Sequence, residues 1–324
     1  MTRKRSCDNV PMGLLLIDKE AGLTSHDVVA KVRRAAGHRS VGHTGTLDPM
    51  ATGLMVLLLG AATKLEPWLV KCQKTYQGVI RLGLSTDTDD VTGRELNRYQ
   101  GPWPTIEEVQ MALAGFVGQT LQVPPAYSAI KVGGLVAHRA ARSGQPISLA
   151  PRKVTAHWLT CQKYEPPYLY FSAGVSSGYY IRSLARDLGA SLGLGGGVLA
   201  SLRRLSVGIF SISDAGGIPA DLQEIDSRIL NPRKALELPE VHLSPIGAGR
   251  LRAGAFVSIL DNSHLEGLSN IDSLESYGQG PLKAIGPDGS LIALAQIISP
   301  PKGADHREPQ GPYLRPLRVL MPVN

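Results

Sequence analysis

Asp48 is the one carboxylate in GHTGTLDPMATG (42–53), a loop of Gly, Thr and Pro. An Asp-Pro pair standing alone forms a turn, because Asp bonds its own backbone and Pro presets φ. Other residues along the chain give it a second reading. Tyr76 opens the strand-like KTYQGVIRLG, and Tyr180 and Arg182 stand where GYYIRSLARDLG passes from strand-like to helical spacing. A carboxylate, an always-protonated guanidinium and aromatic faces are parts that can flip a base out of RNA and act on it. The residues alone thus leave two options open. One is a nucleic-acid-modifying enzyme; the other is an RNA-binding module whose Asp48 is structural.

The remaining clusters carry less. Asp87, Asp89 and Asp90 in DTDDVTG could face a hard cation, but Val91 and Thr92 stand where an EF-hand loop needs an oxygen ligand and Gly. Nor does a hydrophobic strand run directly into them, since Leu84-Ser85-Thr86 intervenes. The expectation is a loop whose carboxylates orient basic groups. GLGGG (193–197) matches neither G-x-G-x-x-G nor a P-loop and predicts a flexible loop ending a helix. His43, alone before Thr-Gly, has a structural reading, and no Ser sits in a nucleophile elbow.

The chain has 324 residues, 43% of them hydrophobic, enough for one large domain or a large and a small one. Its net charge of +7 and pI near 9.3 suit a polyanionic partner, and equally a basic protein that is merely soluble. Cys7, Cys72 and Cys161 are far apart and outside any C-x-x-C, so neither a zinc site nor a disulfide framework is expected. That usage fits a reducing cytoplasm. The N-terminal MTRKRSCDNVPMGLLLI has too short an apolar run for a signal peptide, and nothing approaches the roughly 18 apolar residues of a membrane span.

The elements that must position these residues follow from periodicity. LLLID (14–18) predicts a buried strand, and Thr24 or Ser25 caps a helix through VVAKVRRAA that stops at Gly37. LMVLLLG (54–60) predicts a central strand. Thr105 and Glu108 form a capping-box pattern for a helix to about Phe116. YSAIKVGGLVAHRAARSG predicts a strand, a Gly-Gly hairpin turn and a basic helical turn. KVTAHWLTC and YLYFSAGV predict strands, and Ile181, Leu184, Ala185, Leu188 and Leu192 share a helical stripe. LASLRRLSVGIF predicts a short helix turning into a strand. After the loop-rich NPRKALELPE, AFVSIL, PLKAIGPDGSLIALAQII and PLRVLMPV predict strands, with GPDG a hairpin turn. The expected organisation is a large mixed α/β domain over 1–235 and a small β-rich one over 236–324.

Seven blocks, in order, resemble the TruB-type tRNA pseudouridine synthases, which isomerise uridine 55 in the tRNA T-arm. They are GLLLIDKEAGLTSHDVV, GHTGTLDPMATGLMVLLLGAATK, KTYQGVIRLGLSTDTDDVTG, QVPPAYSAIKVGGLVAHRAARSG, PRKVT, GYYIRSLARDLG and LRRLSVG. The resemblance implies an α+β fold with a mixed, largely antiparallel catalytic sheet and a PUA-like RNA-binding tail. It implies Asp48 as catalytic nucleophile, Tyr76 stacked on the target base, and Arg182 paired with Asp48. Asp90 would hold that Arg, His43 would approach the T-loop, and Tyr180 and Leu202 would line the pocket. Where many relatives read G-T-Y-I-R this chain reads S-G-Y-Y-I-R, putting Tyr179 in place of a small residue.

Pseudouridine formation breaks the N1–C1′ bond, turns the uracil and rejoins it through C5, so no metal or organic cofactor is expected. The partner implied is the tRNA T-arm stem-loop, with no membrane and no obligate protein partner, for a monomer in the cytoplasm. Lys64, Lys74, Lys131, Arg139, Arg142, Arg203 and Arg204 are candidate phosphate contacts.

Overall fold

Thr24 and Gly37 bound the first helix as their types require. In the computed structural model, which describes residues 11–260, 280–299 and 311–320, the Thr24 hydroxyl accepts from Asp27 N and the Asp27 carboxylate accepts from Thr24 N. Gly37 closes the helix at φ 62°. The first elements are β1 (Gly13–Lys19), α1 (Ser25–Ala36), β2 (Val41–His43), β3 (Thr52–Leu59) and β4 (Lys74–Leu82). Then come α2 (Ile106–Ala114), β5 (Gly118–Gln122), β6 (Arg152–Glu165), β7 (Tyr168–Val175), α3 (Ile181–Ser191), β8 (Gly197–Val207) and β9 (Phe210–Ser211). Thr105 caps α2 through the expected box with Glu108, and the helix ends at Ala114 rather than Phe116.

These strands form one nine-stranded sheet in the order β1-β3-β8-β4-β7-β6-β5, with β2 on β3 and β9 on β8. Every pairing is antiparallel except β3 with β8, which run parallel where Thr52 meets Arg203 and Gly53 meets Arg204. The uninterrupted apolar runs of β1 and β3 reflect burial on both faces. Leu15, Ile17, Met55 and Leu57 face α1 and α3 across a core shared with Val28, Val32, Leu184 and Leu188. Leu14, Leu16, Leu54, Val56 and Leu58 face the other way, onto Ile285, Leu291 and Leu294 of a second sheet.

That second sheet is built from β10 (Glu240–His242), β11 (Val257–Ser258), β12 (Pro281–Ile285), β13 (Leu291–Ile298) and β14 (Tyr313–Val319), with helix α4 (Pro245–Arg252) beside it. Its order is β10-β12-β13-β14-β11, and Gly289 takes φ +75° in the GPDG turn between β12 and β13. Of AFVSIL only Val257 and Ser258 are strand. The first ten residues, with Cys7, and the last four residues of PLRVLMPV's segment, Met321 onward, lie outside the described residues. Among the described residues no helix is long and apolar enough to cross a membrane.

Residues 197–207 depart from expectation by forming one continuous strand. Two bulges against β4, between Leu199 and Ser201 and between Arg204 and Ser206, break the period of two and make LASLRRL read as helical. GLGGG is a tight connection rather than a loose one. A Cβ on Gly189 would lie 2.0 Å from Gly196 O, so α3 and the start of β8 approach as only glycines allow.

Gly53 shows the same closeness at the parallel joint. It holds φ +102°, and a Cβ there would lie 2.3 Å from Arg204 O. Gly53→Ala is expected to cost about 3 kcal/mol through strain and steric displacement, read as a lowered Tm. An unchanged Tm would show that β3 and β8 can separate freely.

Candidate active site

Asp48 sits between β2 and β3 on a loop tied down almost residue by residue. The Ser25 hydroxyl donates to Leu47 O at 2.9 Å and accepts from Leu47 N at 2.8 Å. The Gly22 amide donates to Pro49 O at 2.8 Å. Lys19, fully buried, donates to the carbonyls of Glu20, Leu23 and Pro49 at 2.9, 2.8 and 3.2 Å. From the other side Arg204 donates from Nε to Leu54 O at 2.6 Å and from Nη2 to Gly45 O at 3.0 Å. The loop is therefore held by two buried cations that capture its carbonyls.

Arg182 enters from the second position of α3. Its Nε lies 2.8 Å from Asp48 Oδ2 and its Nη2 3.1 Å from Oδ1, a side-on fork with both carboxylate oxygens engaged. Nη1 donates to Thr88 O and Nη2 to Tyr127 O, each at 3.0 Å. The Arg182 side chain is 7% exposed and that of Asp48 32%, so the cation is sealed while the carboxylate keeps an open side. Burial pushes the Asp48 carboxyl above its ordinary range. Arg182 pulls it back down, Asp90 adds to the rise and Lys19 opposes it.

The open side of Asp48 faces a small cavity lined by Thr46, Leu47, Tyr76, Tyr179, Tyr180, Ile181, Arg182, Leu199 and Leu202. A second, wider cleft begins at Asp48 and Arg182 and runs past His26, His43, Asp90, Tyr127, His138 and Arg142. Asp48, Tyr76, Tyr180, Arg182 and Leu202 thus meet in the cavity, and His43, Asp90 and Arg142 in the cleft. Burial pushes the Tyr180 hydroxyl up. It pushes His43 down, aided by Arg204, and His43 Nδ1 accepts from Gly45 N at 3.2 Å. The cavity thus presents Leu, Ile and Tyr side chains, one carboxylate and a paired guanidinium.

Each carboxylate of the acidic loop serves a protein partner. Asp87 accepts from Arg94 N at 2.8 Å, and Asp89 pairs with Arg186 at 2.9 Å. Asp90 Oδ1 accepts from Thr88 Oγ1, Thr92 N and Thr92 Oγ1 at 2.8, 2.9 and 2.6 Å. Asp90 thus orders its own loop, while the carbonyls of Thr88 and Tyr127 touch Arg182. Among the described residues no group of three His, Cys, Asp or Glu is placed to hold a metal.

Two candidate phosphate contacts are corrected. Arg204 is buried on its carbonyls, and Lys74 is buried with Nζ donating to Val70 O and Cys72 O at 2.9 and 2.8 Å. Burial pulls Lys74 down to about 8. Arg203 pairs with Asp18 at 2.6 Å, and Lys64 donates to Val319 O at 2.8 Å. Lys131, Arg139 and Arg142 are exposed. Lys19, which sequence reasoning passed over, had one visible signal: it continues the inward series Leu15, Ile17 at the end of an apolar strand.

The sheet and its cavity have the architecture of a pseudouridine synthase. A Cbf5-Nop10-Gar1 complex superposes with a TM-score of 0.68 at 22% identity, covering 96% of this chain and 85% of that one. An H/ACA RNP bound to a substrate RNA containing 2′-deoxyuridine gives 0.67 at 21%, over 96% and 86%. Residues 33–181 match the TruB family pseudouridylate synthase (N terminal domain). The tRNA pseudouridine synthase B of Arthrobacter sp. (strain FB24) is 38% identical over 96% of this chain and 97% of its own length. That of Thermobifida fusca (strain YX) is 40% identical over 88% and 94%. The chain belongs to the TruB family of tRNA pseudouridine synthases.

Proposed function

We propose that this chain converts uridine 55 of the tRNA T-arm to pseudouridine, with Asp48 as the nucleophile. The observation that carries the reading is the Arg182 fork on Asp48 in a cavity that Tyr76 also lines. It is supported by relatives that are named tRNA pseudouridine synthase B and match along nearly the whole chain.

The target uridine leaves its stack and enters the cavity, where Tyr76 stacks on the base and Tyr180 and Leu202 form the walls. The ionised Asp48 attacks the nucleotide, at C1′ or at C6, or takes a proton from the sugar. In each route the N1–C1′ bond breaks, the uracil turns and a C5–C1′ bond forms; any bond to Asp48 is then broken, or the proton taken from the sugar is returned, while C5 loses its proton and N1 gains one. Atoms balance without a co-reactant. Arg182 keeps the carboxylate charged in a site where desolvation opposes charge. His43 and Arg142 meet the RNA along the wider cleft. Residues 236–324 act as a PUA-like RNA-binding module beside the catalytic region of 1–235. The reading takes tRNA alone as substrate, in the cytoplasm, with the chain working as a monomer.

Incubating purified protein with an unmodified tRNA transcript and mapping pseudouridine tests this directly. One new pseudouridine, at position 55, is expected. No product without added guide RNA or partner proteins would overturn it.

The pH profile adds an independent check. Asp48 must be ionised, and its folded pKa is raised. Activity is therefore full at neutral pH and is lost as pH falls through a value above the ordinary Asp figure of about 3.9. A plot of kcat/KM that stays flat down to pH 4 would remove Asp48 as the titrating group.

A further inference from the structure

Arg186 lies one helical turn beyond Arg182 on α3, so the two guanidiniums leave the same face of the helix. They reach the same two segments. Arg182 joins Thr88 O to Tyr127 O. Arg186 donates from Nη1 to the Asp89 carboxylate and from Nη2 to Val123 O, both at 2.9 Å. Its Nε donates to Asp187 Oδ1 at 2.9 Å. The acidic loop and the chain from Val123 to Tyr127 are thus bridged twice, by rungs one turn apart. The first rung carries the Asp48 fork. The chemistry set out above leaves the second unused.

Asp89 is the only non-glycine residue with positive φ among the described residues, at 59°. Asp tolerates this left-handed conformation better than most side chains, but a tertiary contact must still hold it there. In that conformation neighbouring residues serve neighbouring arginines: the Thr88 carbonyl meets Arg182 and the Asp89 carboxylate meets Arg186. Asp89 O also accepts from Leu199 N, and Val91 N donates to Leu199 O, each at 3.1 Å. The loop is thereby fixed to β8 at a residue lining the cavity.

We propose that Asp89 and Arg186 are a positioning pair, which fixes the Thr88 carbonyl and through it the plane of the Arg182 guanidinium. The pair rests on the reading of Asp48 as the reacting carboxylate. Thr88 O is the acceptor for Arg182 Nη1, the one guanidinium nitrogen that does not share in the fork or the Tyr127 contact. With Thr88 loose, the guanidinium can tilt about its remaining bonds, and the two-point hold on Asp48 becomes one-point. The charged groups facing Asp89 are Arg186, Arg182 and Asp187; those facing Asp48 are Arg182, Asp90 and Lys19.

Pseudouridine formation in a T-arm stem-loop, followed across pH, distinguishes a positioning role from a merely structural one. Asp89→Gly keeps the left-handed backbone at no steric cost and removes the carboxylate. It is expected to lower kcat about tenfold, leave KM within about twofold and move the acid limb to higher pH. Arg186→Gln should do the same, and the double variant should lose no more than either single one. Asp89→Asn, which keeps an acceptor for Arg186, should recover part of kcat. Wild-type kcat and acid limb in Asp89→Gly and Arg186→Gln would overturn the proposal. So would a loss confined to KM, or a lowered Tm with kcat and the acid limb unmoved. Wild-type protein that makes no pseudouridine removes the functional reading, and the pair's role with it. An active wild type with unaffected variants removes the pair alone.

Discussion

Asp48→Asn is expected to abolish pseudouridine formation, by roughly four orders of magnitude in kcat, while T-arm stem-loop binding stays within about threefold of wild type. The amide has nearly the shape of the carboxylate, and its oxygen can still accept one Arg182 N–H. It cannot act as a nucleophile at neutral pH, and it cannot neutralise a cation that is 7% exposed. Arg182 keeps the Thr88 and Tyr127 carbonyls, so the site is not left without partners. Burial already opposes the charge on Asp48, so the amide also relieves a desolvation cost. The protein should therefore fold, with a Tm close to wild type, and bind RNA without turning it over. Conversion at the normal rate by Asp48→Asn would remove Asp48 from the chemistry altogether.

Arg182→Lys comes second in size and isolates geometry from charge. Lysine keeps the positive charge but presents one ammonium where Arg182 makes four contacts to three partners. It cannot grip both oxygens of Asp48 and reach the carbonyls of Thr88 and Tyr127 as well. A fall in kcat of about a hundredfold or more is expected, with substrate binding nearly kept. Because Arg182 holds the Asp48 carboxyl down against burial, the acid limb should also move to higher pH. Turnover within about twofold of wild type would show that a point charge suffices and that the fork is incidental.

Much of this arrangement was legible before any coordinates, and the reasons are local. The box of Thr105 and Glu108 is complete within four residues, so sequence spacing alone places that helix start, while Thr24 and Ser25 both stood open for the first helix until the box with Asp27 chose Thr24. Continuous apolar runs marked β1 as a buried strand and β3 as a central one. Asp48, Tyr76 and Arg182 were visible because seven ordered blocks resemble one family; the residues alone left a structural, turn-forming Asp48 open. What stayed hidden depends on contacts far apart in the chain. The bulges of β8 answer to β4, more than a hundred residues earlier, and erased the strand period of LASLRRL. Arg204 looked like a surface cation because nothing local says that the carbonyls of Gly45 and Leu54 converge on it. The twin bridges of Arg182 and Arg186 needed the helix, the acidic loop and the segment after β5 to be in place together.

The two-sided burial of β1 and β3 bears on how such a chain can be recombined. The same strands that present the Asp48 loop on one side supply the seat for Ile285, Leu291 and Leu294 on the other. A graft that exchanges the second sheet for a relative's must carry Leu14, Leu16, Leu54, Val56 and Leu58 as part of the donor set. Otherwise the new surface meets a seat shaped for another occupant, directly behind the strand that follows the Asp48 loop. The outer surface of the second sheet can diverge freely, whereas its inner surface is inherited together with β1 and β3.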